Sequence, residues 1–191
     1  MSSATLSTSA QSKALIPLVT SATTASYRDY KLRLGSWTLE HGQHIPSANL
    51  ACRLYGNNHG PIYVVLGGIS SSRRICDDSS GEKGWWNDFV GPGKTLDTRY
   101  CRVLGVDFLG SGDSTQPQLL TEWAITPADQ AHFLESAWRQ LQQQTTLPEQ
   151  VDGLIGASYG GMVALHWAQL CLLYTSPSPR DRIASRMPSS A

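Results

Sequence analysis

The residues best suited to chemistry lie at positions 156–160, where the sequence reads Gly-Ala-Ser-Tyr-Gly. A serine between two glycines, after an apolar strand and before a helix, is typical of a sharp turn that lifts the serine hydroxyl above a sheet. The pattern predicts that Ser158 is a nucleophile, with an ordinary tight turn as the alternative. Gly161 is expected to let the following helix pack closely, and the positive end of that helix would lie near the reacting centre.

A serine nucleophile needs hydrogen-bond donors for the negative oxygen that forms when it attacks a carbonyl. The backbone N–H of Tyr159 is the first candidate, because the residue after the nucleophile usually supplies a donor. The second candidate is the N–H of Ile69, which follows Gly67 and Gly68, two glycines that permit close backbone approach. An ordinary turn at residues 67–68 is the alternative.

The nucleophile also needs a histidine base and a carboxylate, which in this arrangement follow it in the order carboxylate, then histidine. Downstream of Ser158 lie only His166 and Asp181. His166 would be about 12 Å along the helix axis and could not reach the serine hydroxyl. Asp181 lies in a segment that we expect to be non-native, as described below. The sequence therefore predicts an incomplete triad, and we expect the 191-residue chain to be inactive.

Charged residues near the ends of the central strands have ordinary interpretations. Asp107, Asp113 and Ser114 do not have the spacing of a calcium loop, so we expect them to shape the site rather than to bind a metal. Arg73 and Arg74 could meet a carboxylate or a CoA phosphate, but a solvated loop pair is the default expectation.

The elements that must position these residues can be predicted from periodicity and from turn signals. The segments with strand patterns are 29–39, 48–55, 62–66, 102–106 and 151–155. Residues 62–66 are a continuous apolar run of the kind that is buried on both faces of a parallel sheet, and the segments 102–106 and 151–155 are expected to be two further central strands. Helices are expected at 127–144, where Thr126 is the predicted N-cap, and at 162–170. The alternation of strands and helices, together with the serine turn, predicts an α/β-hydrolase fold with a mostly parallel central sheet flanked by helices, truncated after the nucleophile helix.

Composition narrows the class of protein. Lys plus Arg equals Asp plus Glu at 15 each, which gives no electrostatic case for nucleic acid or an anionic membrane. No apolar run approaches the roughly 18 residues that a membrane-spanning helix needs. The 4 cysteines match neither a zinc pattern nor a disulfide framework, so we expect a cytoplasmic protein without a metal site.

The two ends of the chain differ from the middle. Residues 1–28 are rich in Ser, Thr and Ala and are expected to form a disordered leader, with a transit peptide as the alternative. Residues 29–170 would be the N-terminal part of the hydrolase-fold domain. Residues 171–191 show no helix or strand pattern and read like a translated sequencing adapter, so we expect them to be a non-native tail.

Two further segments resemble one particular family. Residues 84–94 read Gly-Trp-Trp-Asn-Asp-Phe-Val-Gly-Pro-Gly-Lys and are followed by Leu-Asp-Thr at 96–98, which resembles the homoserine O-acyltransferase family of methionine biosynthesis. The Gly-Gly-Met and Ala-Leu-His-Trp-Ala sequences after Ser158 are also similar to that family. The resemblance covers about residues 39–170. Departures at the 67–70 loop, at the serine turn and after residue 106 resemble a branch associated with succinyl rather than acetyl transfer.

The resemblance implies a ping-pong transfer of an acyl group from acyl-CoA to the hydroxyl of L-homoserine through an acylated Ser158. Acyl-CoA would be a co-substrate, no cofactor would be bound, and the full-length protein could be a homodimer. Gly67, Gly68, Trp85 and Trp86 would contact substrate. The tryptophans would shield the acyl-enzyme from water, with ordinary packing as their alternative. A serine hydrolase or esterase of the same fold, and a non-catalytic binding protein or fragment, are the competing interpretations.

Overall fold

The short apolar runs of the sequence form the centre of a five-stranded sheet. The structure, a computed structural model, describes residues 24–79, 81–116 and 124–175. The elements in chain order are β1 (Tyr27–Thr38), β2 (His44–Tyr55), β3 (Ile62–Leu66), β4 (Arg102–Val106), α1 (Pro127–Gln144), β5 (Gly153–Gly156) and α2 (Tyr159–Thr175).

The sheet has the strand order β1-β2-β4-β3-β5. β3 is parallel to both β4 and β5, whereas β2 is antiparallel to both β1 and β4. The predicted parallel arrangement therefore holds for the central strands, and an antiparallel hairpin forms one side of the sheet. Because the carboxyl ends of parallel strands meet at the same edge, the segments that follow β3, β4 and β5 lie together there.

Both faces of β3 are buried, as its continuous apolar run predicts, and β4 is buried on both faces as well. Side chains alternate along β3, so that Val64 packs on one face with the two helices and Val65 packs on the other. The second face is covered by the irregular segment around residues 75–101, which contributes Ile75 and Val90. Within the described residues, loop side chains rather than a helix cover this face of the sheet.

The start of α1 matches its sequence signals. The Thr126 hydroxyl accepts a hydrogen bond from the Asp129 N–H at 3.0 Å, and the Asp129 carboxylate accepts one from the Thr126 N–H at 2.9 Å. Asp129 also accepts the Glu40 N–H at 2.8 Å, which ties the helix to the β1–β2 hairpin. Within the described residues, neither helix is long and apolar enough to cross a bilayer.

Several boundaries differ from the prediction. β2 begins at His44 rather than at residue 48, so the strand is four residues longer than predicted. Residues 44–47 pair with the end of β1, where the strand register shifts near Gly35. Buried and exposed side chains do not alternate regularly there, because several of the paired side chains are exposed. β5 ends at Gly156, and α2 begins at Tyr159, three residues earlier than expected.

The predicted ends of the domain also shift. Ala25 is buried and its N–H bonds the Asp77 carbonyl, so residues 24–28 belong to the fold rather than to the predicted leader. α2 continues through Cys171 to Thr175, so the expectation that the 171–191 segment lacks helical structure is wrong for these five residues. Cys-Leu-Leu-Tyr contains no helix breaker and can extend an apolar helix. Residues 1–23 and 176–191 lie outside the described part, and the origin of the tail stays a prediction.

Candidate active site

The backbone at Ser158 has the strained conformation that the serine turn requires. Its φ is 54°, and among the described residues it is the only non-glycine with a positive φ. Such a conformation costs about 1–3 kcal/mol and persists only where the surroundings impose it. Here the Ala157 N–H bonds the Leu66 carbonyl and the Gly160 N–H bonds the Gly67 carbonyl, each at 2.9 Å. The turn is therefore fixed to the end of β3, with Ser158 exposed to solvent.

Two of the glycines in the turn are required by close packing. A Cβ on Gly160 would lie 2.3 Å from the Leu66 carbonyl oxygen and 2.4 Å from that of Gly67. A Cβ on Gly156 would lie 2.5 Å from the Gly160 carbonyl oxygen. Gly161, by contrast, has no neighbouring atom within 3.6 Å of its Cβ position. The prediction that Gly161 permits the close approach is therefore wrong, and Gly160 has that role because it faces β3.

The two predicted oxyanion donors lie on neighbouring segments. Tyr159 is the first residue of α2, and Ile69 follows Gly67 and Gly68 after β3. The two segments are joined because the Gly67 carbonyl accepts the Gly160 N–H. In the part of the chain that the structure describes, no backbone hydrogen bond occupies the N–H of Tyr159 or of Ile69. The Ile69 side chain is 70% exposed. Both N–H groups are thus available to a ligand at the edge of the sheet that carries Ser158.

The Tyr159 side chain is held by contacts with Phe108 and Gln130 that the sequence does not indicate. Its ring packs edge-on against Phe108, with centroids 5.3 Å apart. Burial raises the pKa of the Tyr159 hydroxyl, against a hydrogen bond with Gln130 that lowers it. Gln130 is itself fixed, because its amide bonds both the N–H and the carbonyl of Leu109 at 2.9 Å. α1 and the segment after β4 therefore both support the residue beside Ser158.

Trp85 and Trp86 stack on each other beside the loop at residues 67–73. Their ring centroids are 5.5 Å apart, and both side chains are half-buried. The Trp85 indole N–H donates to the Ser72 carbonyl at 2.8 Å, and its ring lies 2.8 Å from the position of a Cβ on Gly67. The structure thus brings the Trp85 ring into contact with the predicted oxyanion loop.

Arg73 is buried in an ion cluster and is not part of a solvated pair. Its guanidinium binds the fully buried Asp107 carboxylate, and it also binds Asp113 at 2.5 Å and Asp29 at 3.6 Å. Burial works against the charged form, but the carboxylates outweigh it, so the pKa of Arg73 lies above its ordinary value. Arg74 differs, since it is partly exposed and pairs with Glu82. Sequence reasoning missed the Arg73 cluster because its partners are remote in the chain.

Among the described residues, no hydrogen bond joins a histidine to Ser158. All 5 histidines of the chain lie in the described part and are exposed. His166 lies on α2, well beyond the serine, as the sequence predicts. Asp181 lies outside the described residues. Two concavities of about 390 and 270 Å³ lie beside β1 and the 112–116 loop rather than at Ser158.

Comparisons with known proteins agree with this architecture. A family model described as alpha/beta hydrolase fold matches residues 60–188. The chain is 33% identical over 150 residues to the homoserine O-acetyltransferase of Natronomonas pharaonis, covering 71% of this chain and 37% of that protein. It is 34% identical over 145 residues to the homoserine O-succinyltransferase of Bordetella petrii, covering 70% and 34%. Among solved structures, esterase E22 is similar in fold, with a TM-score of 0.62 at 19% identity, covering 75% of this chain and 44% of that one.

These comparisons confirm the resemblance that residues 84–98 and the serine turn indicate. The chain spans only about a third of the length of the curated relatives it matches, at 37% and 34%. The family model reaches residue 188 and so includes most of the 171–191 segment. Esterase E22, at 19% identity, supports the fold alone.

Proposed function

The chain belongs to the α/β-hydrolase fold family, and we propose that it is part of an enzyme that transfers an acyl group from acyl-CoA to the hydroxyl of L-homoserine. The observation that carries the proposal is the exposed Ser158 at a φ of 54°, fixed beside the Gly67–Gly68 loop. The names of the relatives in Natronomonas pharaonis and Bordetella petrii supply the substrate class. Because one is named for acetyl and the other for succinyl transfer, we include both donors in the proposal.

The first half of the reaction would acylate the serine. The Ser158 oxygen attacks the thioester carbonyl carbon while a base removes its proton. The Tyr159 and Ile69 N–H groups donate to the oxygen of the tetrahedral intermediate, where negative charge develops. The intermediate then collapses, the carbon–sulfur bond breaks, and CoA leaves as a thiol after taking up a proton. Exposure of Ser158 and the unoccupied N–H groups support these roles.

The second half would transfer the acyl group to homoserine. The homoserine hydroxyl loses its proton to the base, attacks the acyl-serine and displaces the Ser158 oxygen, which is then reprotonated. A transferase must keep water from competing at this stage. Trp85 and Trp86 are the residues proposed to exclude it, and Gly67 and Gly68 would contact the substrate through their backbone. The contact of Trp85 with Gly67 supports this assignment.

The base and its carboxylate would come from chain outside these 191 residues. The absence of a histidine at Ser158 among the described residues and the greater length of the relatives support this part of the proposal. We further propose that the whole enzyme is a cytoplasmic homodimer that binds no cofactor and uses acyl-CoA only as co-substrate. The 191-residue chain by itself would be inactive.

The test uses the whole enzyme with acetyl-CoA or succinyl-CoA. Mixing enzyme and donor without homoserine should give one equivalent of CoA thiol rapidly, and mass spectrometry should place the acyl group on Ser158. Homoserine should then restart thiol release and produce its O-acyl ester. Ser158→Ala should abolish both steps, because loss of a triad member removes several orders of magnitude of rate.

Two outcomes would contradict the proposal. Normal turnover by Ser158→Ala would exclude Ser158 as the nucleophile. Steady thiol release that homoserine neither accelerates nor diverts into an ester would indicate a hydrolase instead. A Ser36→Ala variant is a matched serine control, since Ser36 is exposed on β1, at the side of the sheet opposite β5, and should not be acylated.

A further inference from the structure

The segment of residues 67–73, which contains the Ile69 N–H, is anchored at both of its ends. At the first end, the Gly67 carbonyl accepts the Gly160 N–H of the serine turn at 2.9 Å. At the other end, the Arg73 N–H donates to the Asp107 carboxylate at 2.7 Å. Ile69 lies between these anchors with its side chain exposed. Movement at either anchor would therefore move the proposed oxyanion donor.

The anchor at Arg73 involves its side chain as well as its backbone. The guanidinium binds the second oxygen of the same Asp107 carboxylate, and its other Nη donates to Asp113 at 2.5 Å. Asp107 thus accepts hydrogen bonds from the backbone and the side chain of one residue. A planar guanidinium with several fixed donors can satisfy two carboxylates at once, which a lysine ammonium does less well.

Asp107 is itself attached to the sheet rather than to another loop. It follows β4 directly, its N–H donates to the Ala51 carbonyl of β2 at 2.9 Å, and its carboxylate also accepts the Asp113 N–H at 2.9 Å. The Arg73 carbonyl lies against β4 as well, since a Cβ on Gly105 would be 2.3 Å from its oxygen. The Arg73 end of the 67–73 segment is therefore held against the central strands of the sheet.

We propose that Arg73 is a positioning residue for the acyl transfer: its paired contacts with Asp107 fix the 67–73 segment so that the Ile69 N–H meets the oxyanion of the Ser158 adduct. This inference rests on the proposed function. Arg73 does not touch substrate, and its effect passes through the backbone of the segment. Donors of an oxyanion hole act on the transition state more than on the bound substrate. Disturbing Arg73 should therefore lower kcat and leave KM for acyl-CoA nearly unchanged.

Arg73→Lys in the whole enzyme tests the proposal. Because removal of one oxyanion donor costs about 100- to 1,000-fold, a displaced donor is expected to lower the acylation rate about 10- to 100-fold. Affinity for an alkylboronic acid, which forms a tetrahedral adduct with the serine, should fall by a similar factor. Arg102→Lys is the matched control, because Arg102 is a buried arginine that bonds Gly60 and Thr146 at the opposite end of β4. It should change neither quantity.

The outcomes separate this inference from the proposed function. A wild-type acylation rate in Arg73→Lys, or a lower rate with unchanged boronic acid affinity, would overturn the positioning role. If Ser158→Ala stays active, the proposed function fails instead. If Arg73→Lys does not fold, Asp113→Asn replaces it, because the Asp113 side chain is 64% exposed and bonds only the other Nη. A smaller loss of kcat at constant KM would then support the role, and an unchanged kcat would contradict it.

Discussion

Gly160→Ala should destabilise the protein and Gly161→Ala should not, because only Gly160 faces β3. A Cβ at Gly160 would lie 2.3 Å from the Leu66 carbonyl oxygen, and real Cβ atoms essentially never lie within 3.0 Å of another such atom. The turn would have to retreat by about 0.7 Å in a close-packed region. That retreat would also weaken the bond from the Gly160 N–H to the Gly67 carbonyl, now 2.9 Å.

The cost can be estimated from these two effects. Overpacking costs about 1–3 kcal/mol, and the lost hydrogen bond adds about 1 kcal/mol, so the free energy of unfolding should fall by about 2–4 kcal/mol. Gly161→Ala is the matched control. Its Cβ would meet nothing closer than 3.6 Å, and alanine in a helix is favoured over glycine by about 0.5–1 kcal/mol. It should therefore be neutral or stabilising.

The assay is urea unfolding of the whole enzyme and both variants, combined with the rate of thiol release from acyl-CoA. Gly160→Ala should lose stability and acylation rate together, because the same displacement moves Ser158 relative to the 67–73 segment. Gly161→Ala should keep both. Equal behaviour of the two variants would show that the packing of Gly160 against Leu66 does not control the turn.

Three shorter predictions follow. The Arg53 hydrogen bonds hold the pKa of Asp29 below its usual 3.8, so the stability advantage of wild type over Asp29→Asn should be complete above that pH and shrink as the pH falls below it, measured by urea unfolding. The 191-residue chain should elute as an aggregate on size exclusion and release no thiol. β5 is the edge strand of the described sheet, and Met162 and Leu165 on the following helix are 49% and 68% exposed, so both can associate with other copies. A monodisperse monomer with a cooperative melt would contradict this prediction. Sequencing the source gene by a different library method should give unrelated codons after residue 170, and recovery of the same tail from an independent clone would refute the adapter origin.

The sequence predicts the parts of the fold that depend on local pattern. The segments at 62–66 and 102–106 are short and rich in Val and Leu, and both become central strands with the predicted bounds. The Thr126 cap marks the start of α1 because its hydrogen bonds join residues only three apart. The serine turn is found from spacing alone, since its glycines are required within a few residues of Ser158.

What the sequence does not predict depends on contacts between distant residues. Nothing near Arg73 indicates that it would be buried, because Asp107 reaches it only once β4 lies beside β3. Gln130 likewise has no local signal for its bonds to Leu109. Which of two adjacent glycines contacts β3 depends on the helical phase of α2. The sequence does not fix that phase to within one residue, so the close contact is predicted at Gly161 but lies at Gly160.

The strand order has a consequence for when the serine turn can form. β1 and β2 are joined by a short turn and pair locally, whereas β5 pairs with β3 across roughly 90 residues of chain. β4 must also insert between β2 and β3, which follow one another in sequence. Pairing distant strands costs chain entropy before the stabilising contacts form, so local pairs are expected to form first. The β1–β2 hairpin is therefore expected to precede β3 and β4, and β5 is expected to join last among the described strands. A nascent chain would then form the turn at Ser158 only after the strands that precede β5 have paired.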